Sequence, residues 1–309
     1  MEELLTSQYG FSIKSIVDGP RGFVGETHII TTTQGEKYFV KKVKRSELVE
    51  GIIKGLPVLN ELQKLGIENV NYPIPTKDGS LYILEDNSII VVFSYILGSA
   101  TFNFNKPKFF KLLASIHTIT PQVKTPLRKE TFDISYKDKV EAYMDLGLNR
   151  EPKDQIERET NKGMNKHTEE LHNYWMEFVQ LAEKCETKQG SFVLTHGDAA
   201  GNVVMDLRGN VYIVDWDEIM LAPPERDNWF HLDPIAKITF LPEYRKYVPK
   251  YTPDKEFFKY YLYNRFFEDL YGFLEGIYDS SFPKEKRQSY LKGLNNDCFN
   301  WLLPLMRLK

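Results

Sequence analysis

Cysteine is nearly absent from this chain. Two in 309 residues, Cys185 and Cys298, are too few for a disulfide scaffold and too far apart for a metal knuckle, so both read as buried thiols. No apolar run reaches the roughly 18 residues of a membrane-spanning helix. Met1-Glu2-Glu3 is unlike the start of a secretory signal peptide. Excess charge is missing too: 40 Lys and Arg stand against 43 Asp and Glu, a net of −3. A dedicated nucleic-acid binder carries a basic excess or a basic stripe. Internal repeats and low-complexity segments are also lacking. These absences predict a cytoplasmic globular chain, with neither nucleic acid nor membrane as partner, and leave its oligomeric state open.

What the chain does have is packing material. It is 42% apolar and 14% aromatic, with 18 Tyr and 20 Phe, which excludes disordered and collagen-like classes. The first hundred residues read mostly as strand. Phe11–Val17, His28–Thr33, Lys37–Val43, Leu81–Leu84 and Ile89–Phe93 carry the β pattern, with a hairpin around Thr33–Glu36. One helix interrupts them, capped by Ser46 and marked by Leu48, Ile52, Leu56, Leu59, Leu62 and Leu65; Pro57 predicts a kink or two abutting helices. From about residue 105 the reading turns helical over Phe109–His117, Lys137–Leu146, His167–Glu183, Glu256–Ile277 and Lys286–Leu303, with a polar loop near 149–166. A strand-rich front and a helical remainder predict two lobes, divided near Ser94–Ala100.

One stretch carries chemistry. Asn202–Met205 and Val211–Val214 flank the turn Asp206-Leu-Arg-Gly-Asn210, so a hairpin brings Asn202 and Asp215 toward one point. An amide oxygen and a carboxylate there form a hard-oxygen site for Mg²⁺, to be completed by phosphates. Asp198, in the loop just before, is placed to orient a hydroxyl and accept its proton. Singly, Asp and Asn in loops mostly make turns and caps; the combination distinguishes this stretch.

His196-Gly-Asp-x-x-x-Asn202, Ile213-Val-Asp-Trp-Asp-Glu218 and Pro224-Glu-Arg-Asp227 resemble the aminoglycoside phosphotransferase and choline-kinase-like branch of the protein-kinase fold. The run Tyr212–Asp227 is especially similar to the spectinomycin phosphotransferases of that branch. The resemblance implies an α+β, bilobal protein-kinase-like fold. Residues 1–95 would form a small antiparallel-sheet lobe with one main helix, and residues 96–309 a larger helical lobe. It implies ATP (or GTP) and Mg²⁺ as cofactors and a small hydroxylated acceptor as partner. By motif, Asp198 would be the catalytic Asp, Asn202 and Asp215 the metal ligands, and His196 and Asp227 structural residues bracing the catalytic loop. This sequence departs from the family pattern in one place: three residues, Ala199-Ala-Gly201, separate Asp198 from Asn202 where the family has four. Gly201 is expected to absorb the difference through a backbone conformation closed to other residues. Failing that, the chain would be a nucleotide-binding protein with little activity.

The front lobe adds compatible pieces. Lys41 and Lys42 point to opposite faces of a strand, and the family pattern of two apolar residues before the lysine favours Lys41 for the phosphates. Glu50, early in the following helix, is the expected carboxylate for that lysine, ahead of Glu47 and Glu61. Gly19, Gly22 and Gly25 lie where a phosphate-covering loop belongs, although they match no standard glycine signature. The resemblance also places the adenine edge against the backbone of Phe93 to Tyr95.

Residues 215–233 hold six acids against Arg226 alone. With Asp215 and Asp227 assigned elsewhere, Asp217 and Glu218 are left facing the acceptor, which favours a cationic one. The aromatic helix Glu256–Ile277 supplies mostly core, with Glu268 as a further acceptor contact. Aminoglycosides, spectinomycin-like aminocyclitols and choline fit that description, and thiamine, an amino alcohol or a sugar remains an alternative.

Overall fold

The computed structural model describes residues 1–20, 25–44, 47–85, 87–188, 190–231 and 236–307. In chain order the elements are α1 (Glu2–Tyr9), β1 (Ile13–Asp18), β2 (Glu26–Thr32), β3 (Lys37–Lys44), α2 (Glu47–Lys64), β4 (Ile83–Glu85), β5 (Ser88–Ser94), β6 (Gly98–Ala100) and α3 (Lys106–Ile119). Next come α4 (Lys137–Asn149), α5 (Gln155–Lys166), α6 (Thr168–Thr187), β7 (Val193–Thr195), β8 (Val203–Asp206), β9 (Val211–Ile213), β10 (Met220–Ala222) and α7 (Glu225–Asn228). The chain ends with α8 (Ala236–Arg245), α9 (Lys255–Tyr278), α10 (Lys284–Gly293), a π-helical stretch at Leu294–Leu302, and α11 (Leu303–Arg307). Two compact units result: Met1–Glu130 with Ser191–Asp227 and Phe240–Tyr251, and Thr131–Gly190 with Asn228–Thr239 and Thr252–Lys309.

In the first unit, five strands form an antiparallel sheet in the order β1-β2-β3-β5-β4. The β2–β3 hairpin turns where expected, with Gly35 at φ +89°, a left-handed conformation suited to glycine. Interior strand β5 is buried along nearly its whole length, as a run of β-branched residues covered on both faces requires. Ile30, Val40, Ile90 and Val92 pack with Ile83 and with Leu5 of α1. That helix is unannounced in the sequence; fully buried Leu5 docks it, with Leu4 and Tyr9 packed alongside. Helix α2 buries Ile52, Leu56, Leu59 and Leu62 and runs as one helix, not two, with Pro57 on its exposed side. Ser46 lies outside the described residues. Two small sheets, β6-β8-β9 and β10-β7, complete this unit.

The second unit is helical. Rings of α9 stack on Phe132 (to Phe257, 5.4 Å) and on Phe178 (to Phe267, 5.7 Å), so the aromatic excess of α9 is chiefly core. The expected polar loop at 149–166 is largely α5. Its buried face is largely polar: beside Ile156 and Met164, Asn161 donates to the Arg150 carbonyl and accepts from the Tyr278 hydroxyl, and Asp154 caps the Glu157 N–H. With Glu157, Thr160 and Asn161 buried between Ile156 and Met164, only two apolar residues mark the helical period. The fold class is the expected α+β one, an antiparallel sheet with its helix followed by a mostly helical remainder. Ile90→Ala removes a fully buried side chain from the sheet core and should cost about 2–5 kcal/mol, read as a lower midpoint in urea unfolding with an unchanged slope.

Candidate active site

Strand alternation separates the two lysines. Lys42 Nζ lies 2.5 Å from Glu85 at the sheet edge, whereas Lys41 is buried and meets Asp215 Oδ1 at 2.5 Å together with the carboxylate of Asp217. Burial alone would push the Lys41 ammonium down. The Asp217 and Asp215 carboxylates outweigh it and hold it above the ordinary lysine value.

Asp227, at the start of α7, organises the loop that carries Asp198. Its side chain is fully buried and accepts the backbone N–H of His196 (2.9 Å) and of Gly197 (2.6 Å), and the Nε2–H of His117 (3.1 Å). His117 in turn meets the Tyr244 hydroxyl at 2.5 Å. Burial raises the Asp227 carboxyl, but the His117 hydrogen bond and the nearby Arg226 guanidinium prevail, leaving it below the usual aspartate value. His196 Nε2 donates to the Val214 carbonyl at 2.8 Å and Nδ1 accepts the Asp198 N–H at 3.1 Å. Those two bonds together require hydrogen on Nε2. One imidazole therefore ties the Asp198 loop to the end of the hairpin.

The glycine in the left-handed region is Gly197, at φ +102°, with the Arg226 guanidinium over its α-carbon. Gly201 is not among the residues of positive φ, so the expected conformational role is corrected to a spatial one. A Cβ on Gly201 would stand 2.7 Å from both carboxylate oxygens of Asp198. The shortened loop closes with Asn202 Nδ2 donating to the Asp198 carbonyl at 3.0 Å and to its carboxylate at 3.3 Å.

Asn202 and Asp215 do come together. The Val214 N–H donates to the Asn202 carbonyl at 3.0 Å, closing the hairpin one residue before Asp215. Asp215 takes φ +66°, uncommon for a residue with a side chain though tolerated by Asp, and keeps its carboxylate half exposed. Among the described residues no three or more His, Cys, Asp or Glu side chains form a ready-made cage. The donor set still suits Mg²⁺, which takes one or two carboxylates and finishes its shell with water and phosphate oxygens. Asn202 turns its amide nitrogen to Asp198, which leaves its amide oxygen as the group that could join Asp215 on a metal.

Other expectations change. Glu50 faces outward and pairs with Lys54 at 2.5 Å, so it is not the partner of Lys41; the stripe Ile52, Leu56, Leu59 turns that position to solvent. Glu61 accepts the Lys124 and Thr125 backbone N–H groups. Asp217, expected on the acceptor side, is held by Lys41, and Glu218 is held by Arg226 at 3.2 Å. Gly22 lies outside the described residues. Gly25 packs against the Lys42 carbonyl, where a Cβ would collide. The Phe93 backbone sits between Phe39 and Pro73, and the Ser94 N–H donates to the Tyr72 carbonyl. Of the three expected base-contacting residues, only Tyr95 lies past the end of β5. Glu268 is exposed on α9 in the second unit. Reading the sequence missed His117 and Tyr244, because a histidine in an apolar helix and a tyrosine in an aromatic-rich chain carry no local signal.

A family model described as "Phosphotransferase enzyme family" matches residues 20–257. Among solved structures, spectinomycin phosphotransferase in complex with ADP and spectinomycin aligns with a TM-score of 0.81 at 22% identity, covering 99% of this chain and 96% of that one. An aminoglycoside phosphotransferase from Alicyclobacillus acidocaldarius gives 0.66 at 16% identity, covering 99% and 95%. Choline kinase from Streptococcus pneumoniae gives 0.56 at 18% identity, covering 96% and 97%. At these identities the likeness is one of fold. No curated protein sequence matches the chain.

Because the Asp227 carboxyl is depressed in the fold, its ionised form stabilises the protein above about pH 4, and that contribution is lost as pH falls through the lowered value. Asp227→Asn should cost about 3–5 kcal/mol at neutral pH. In a series of urea titrations the gap to wild type should narrow at acid pH; a gap constant with pH would contradict the assignment.

Proposed function

The chain belongs to the phosphotransferase enzyme family, and on that premise we propose that it moves the γ-phosphoryl group of ATP to a hydroxyl of a small cationic acceptor, with Asp198 as the general base. The observation carrying this reading is the convergence of Lys41, Asp198, Asn202 and Asp215 in one unit, tied by the His196 and Asp227 hydrogen bonds.

Lys41 would bind the phosphates with a charge kept on by its carboxylate partners. Asn202 and Asp215 would hold Mg²⁺, which when bound neutralises phosphate charge and orients the γ-phosphoryl group. Asp198, exposed at the loop tip with its backbone fixed by His196, would orient the acceptor hydroxyl. As that oxygen bonds to the γ-phosphorus, the bond to the β–γ bridging oxygen breaks, ADP leaves, and the hydroxyl proton passes to the Asp198 carboxylate. We retain Gly25 and Tyr95 as nucleotide contacts and Glu268 as an acceptor contact within this reading. The proposed two-lobe division stays at residues 95/96.

The acceptor we favour is a spectinomycin-like aminocyclitol or an aminoglycoside, supported by the high TM-score to spectinomycin phosphotransferase. The likeness to choline kinase supports a housekeeping amino alcohol as the second reading. Purified protein with ATP or GTP and a panel of spectinomycin, aminoglycosides, choline, thiamine and sugars decides between them. Asp198→Asn should lower transfer about 10²–10⁴-fold and leave nucleotide affinity nearly unchanged; undiminished transfer would remove Asp198 from the role of base. Gly201→Ala should push on the Asp198 carboxylate and lower transfer by about a hundredfold, the effect of a displacement near 1 Å, with thermal stability close to wild type.

A further inference from the structure

Helix α2 reaches the site through glycine. A Cβ on Gly51 would lie 3.4 Å from the Asp217 carbonyl oxygen, and one on Gly55 only 2.5 Å from Ile219 Cγ2. Positions 51 and 55 are one turn apart on a single helix face, so α2 presents bare backbone to the segment Trp216–Ile219. At Gly55 a side chain has no room, and Glu50 is turned to Lys54. Among the described residues, the carboxylates that meet Lys41 come from the segment 215–217. They are not equivalent: the Asp217 side chain is 15% exposed and that of Asp215 is 48% exposed. Asp215 adjoins Asn202 at the hairpin end, where a metal would draw on it, while Asp217 is the more buried partner of Lys41.

We propose that Asp217 is the fixed partner of Lys41, a positioning residue that holds the ammonium for the nucleotide phosphates. Asp215 is the partner that Lys41 gives up when nucleotide and metal bind. This rests on the nucleotide-site reading above. It also explains why Asp217 is absent from the acceptor side: its charge is already committed.

The test is binding of a fluorescent ADP analogue in the presence of Mg²⁺, with circular dichroism to verify folding. Asp217→Asn should weaken binding about 10–100-fold, the range seen when the outer partner of a ligating side chain is removed. Asp217→Glu, which restores the charge, should recover part of that loss and carries the test if the Asn variant does not fold. The double variant Lys41→Met/Asp217→Asn should bind within about twofold of Lys41→Met alone, since residues acting as one unit are not additive. The Mg²⁺ concentration for half-saturation, at saturating nucleotide, should stay as in wild type. Wild-type affinity in Asp217→Asn, additive losses in the double variant, or a metal requirement shifted tenfold with nucleotide affinity intact would each overturn the inference. A wild-type protein that binds no nucleotide would bring down the nucleotide-site reading and this inference with it; normal wild-type binding confines any failure to Asp217.

Discussion

Asp227 is a carboxylate with no exposure to water, and the geometry of the catalytic loop follows from how its charge is satisfied. Two backbone N–H groups, from His196 and Gly197, and the imidazole of His117 converge on it. A buried charge is tolerable only when its lone pairs are met by donors. The chain must therefore bring 196–197 to one place with both N–H groups inward, which Gly197 permits by taking φ +102°. Asp198 follows directly and is turned outward, with its own N–H held by His196. The exposure of the proposed base is thus a consequence of the burial of its neighbour.

A second charge balance sits around Lys41. One ammonium with two carboxylates leaves a partly buried site with a net negative charge, an arrangement suited to receiving a dication. The half-exposed Asp215 is the member that can turn to it. Its left-handed backbone is the kind of conformation that surrounding structure must impose. Here the Val214–Asn202 bond on one side and buried Trp216, whose indole N–H donates to the Ile213 carbonyl, on the other hold it there. Trp216 also packs edge-on against His196 at 4.6 Å. The two halves of the site, the Asp198 loop and the hairpin end, therefore share one buried ring contact as well as the His196–Val214 bond.

Much of the site was legible before folding was considered. Asn202 and Asp215 could be brought together because a hairpin has a fixed geometry and the turn residues between them are unambiguous. Lys41 could be separated from Lys42 in direction because strand alternation is strict, although the family pattern was needed to choose the inward one. The first sheet and its hairpin followed from period-two patterning. Elements with polar or sparse burial did not follow: α5 buries Glu157, Thr160 and Asn161 between Ile156 and Met164, and in α1 only Leu5 is fully buried, with Leu4 and Tyr9 partly so.

Partnerships across long sequence separations lay beyond the sequence. Glu50 was a reasonable partner for Lys41 by helix position, but α2 turns Gly51 and Gly55 to the segment Trp216–Ile219 and Glu50 to Lys54. Asp217 and Glu218 looked free for an acceptor, yet Lys41 and Arg226 claim them. A sequence fixes which charges exist and, through short-range periodicity, which face of a strand or helix each occupies. Which opposite charge each one meets depends on which elements pack together, here residues 41 and 217 or 117, 227 and 244, and no local pattern encodes that choice. The kinds of groups at the site were thus set by sequence, and their pairing by tertiary structure, because ion pairs form across space between segments that the core, rather than the chain order, makes neighbours.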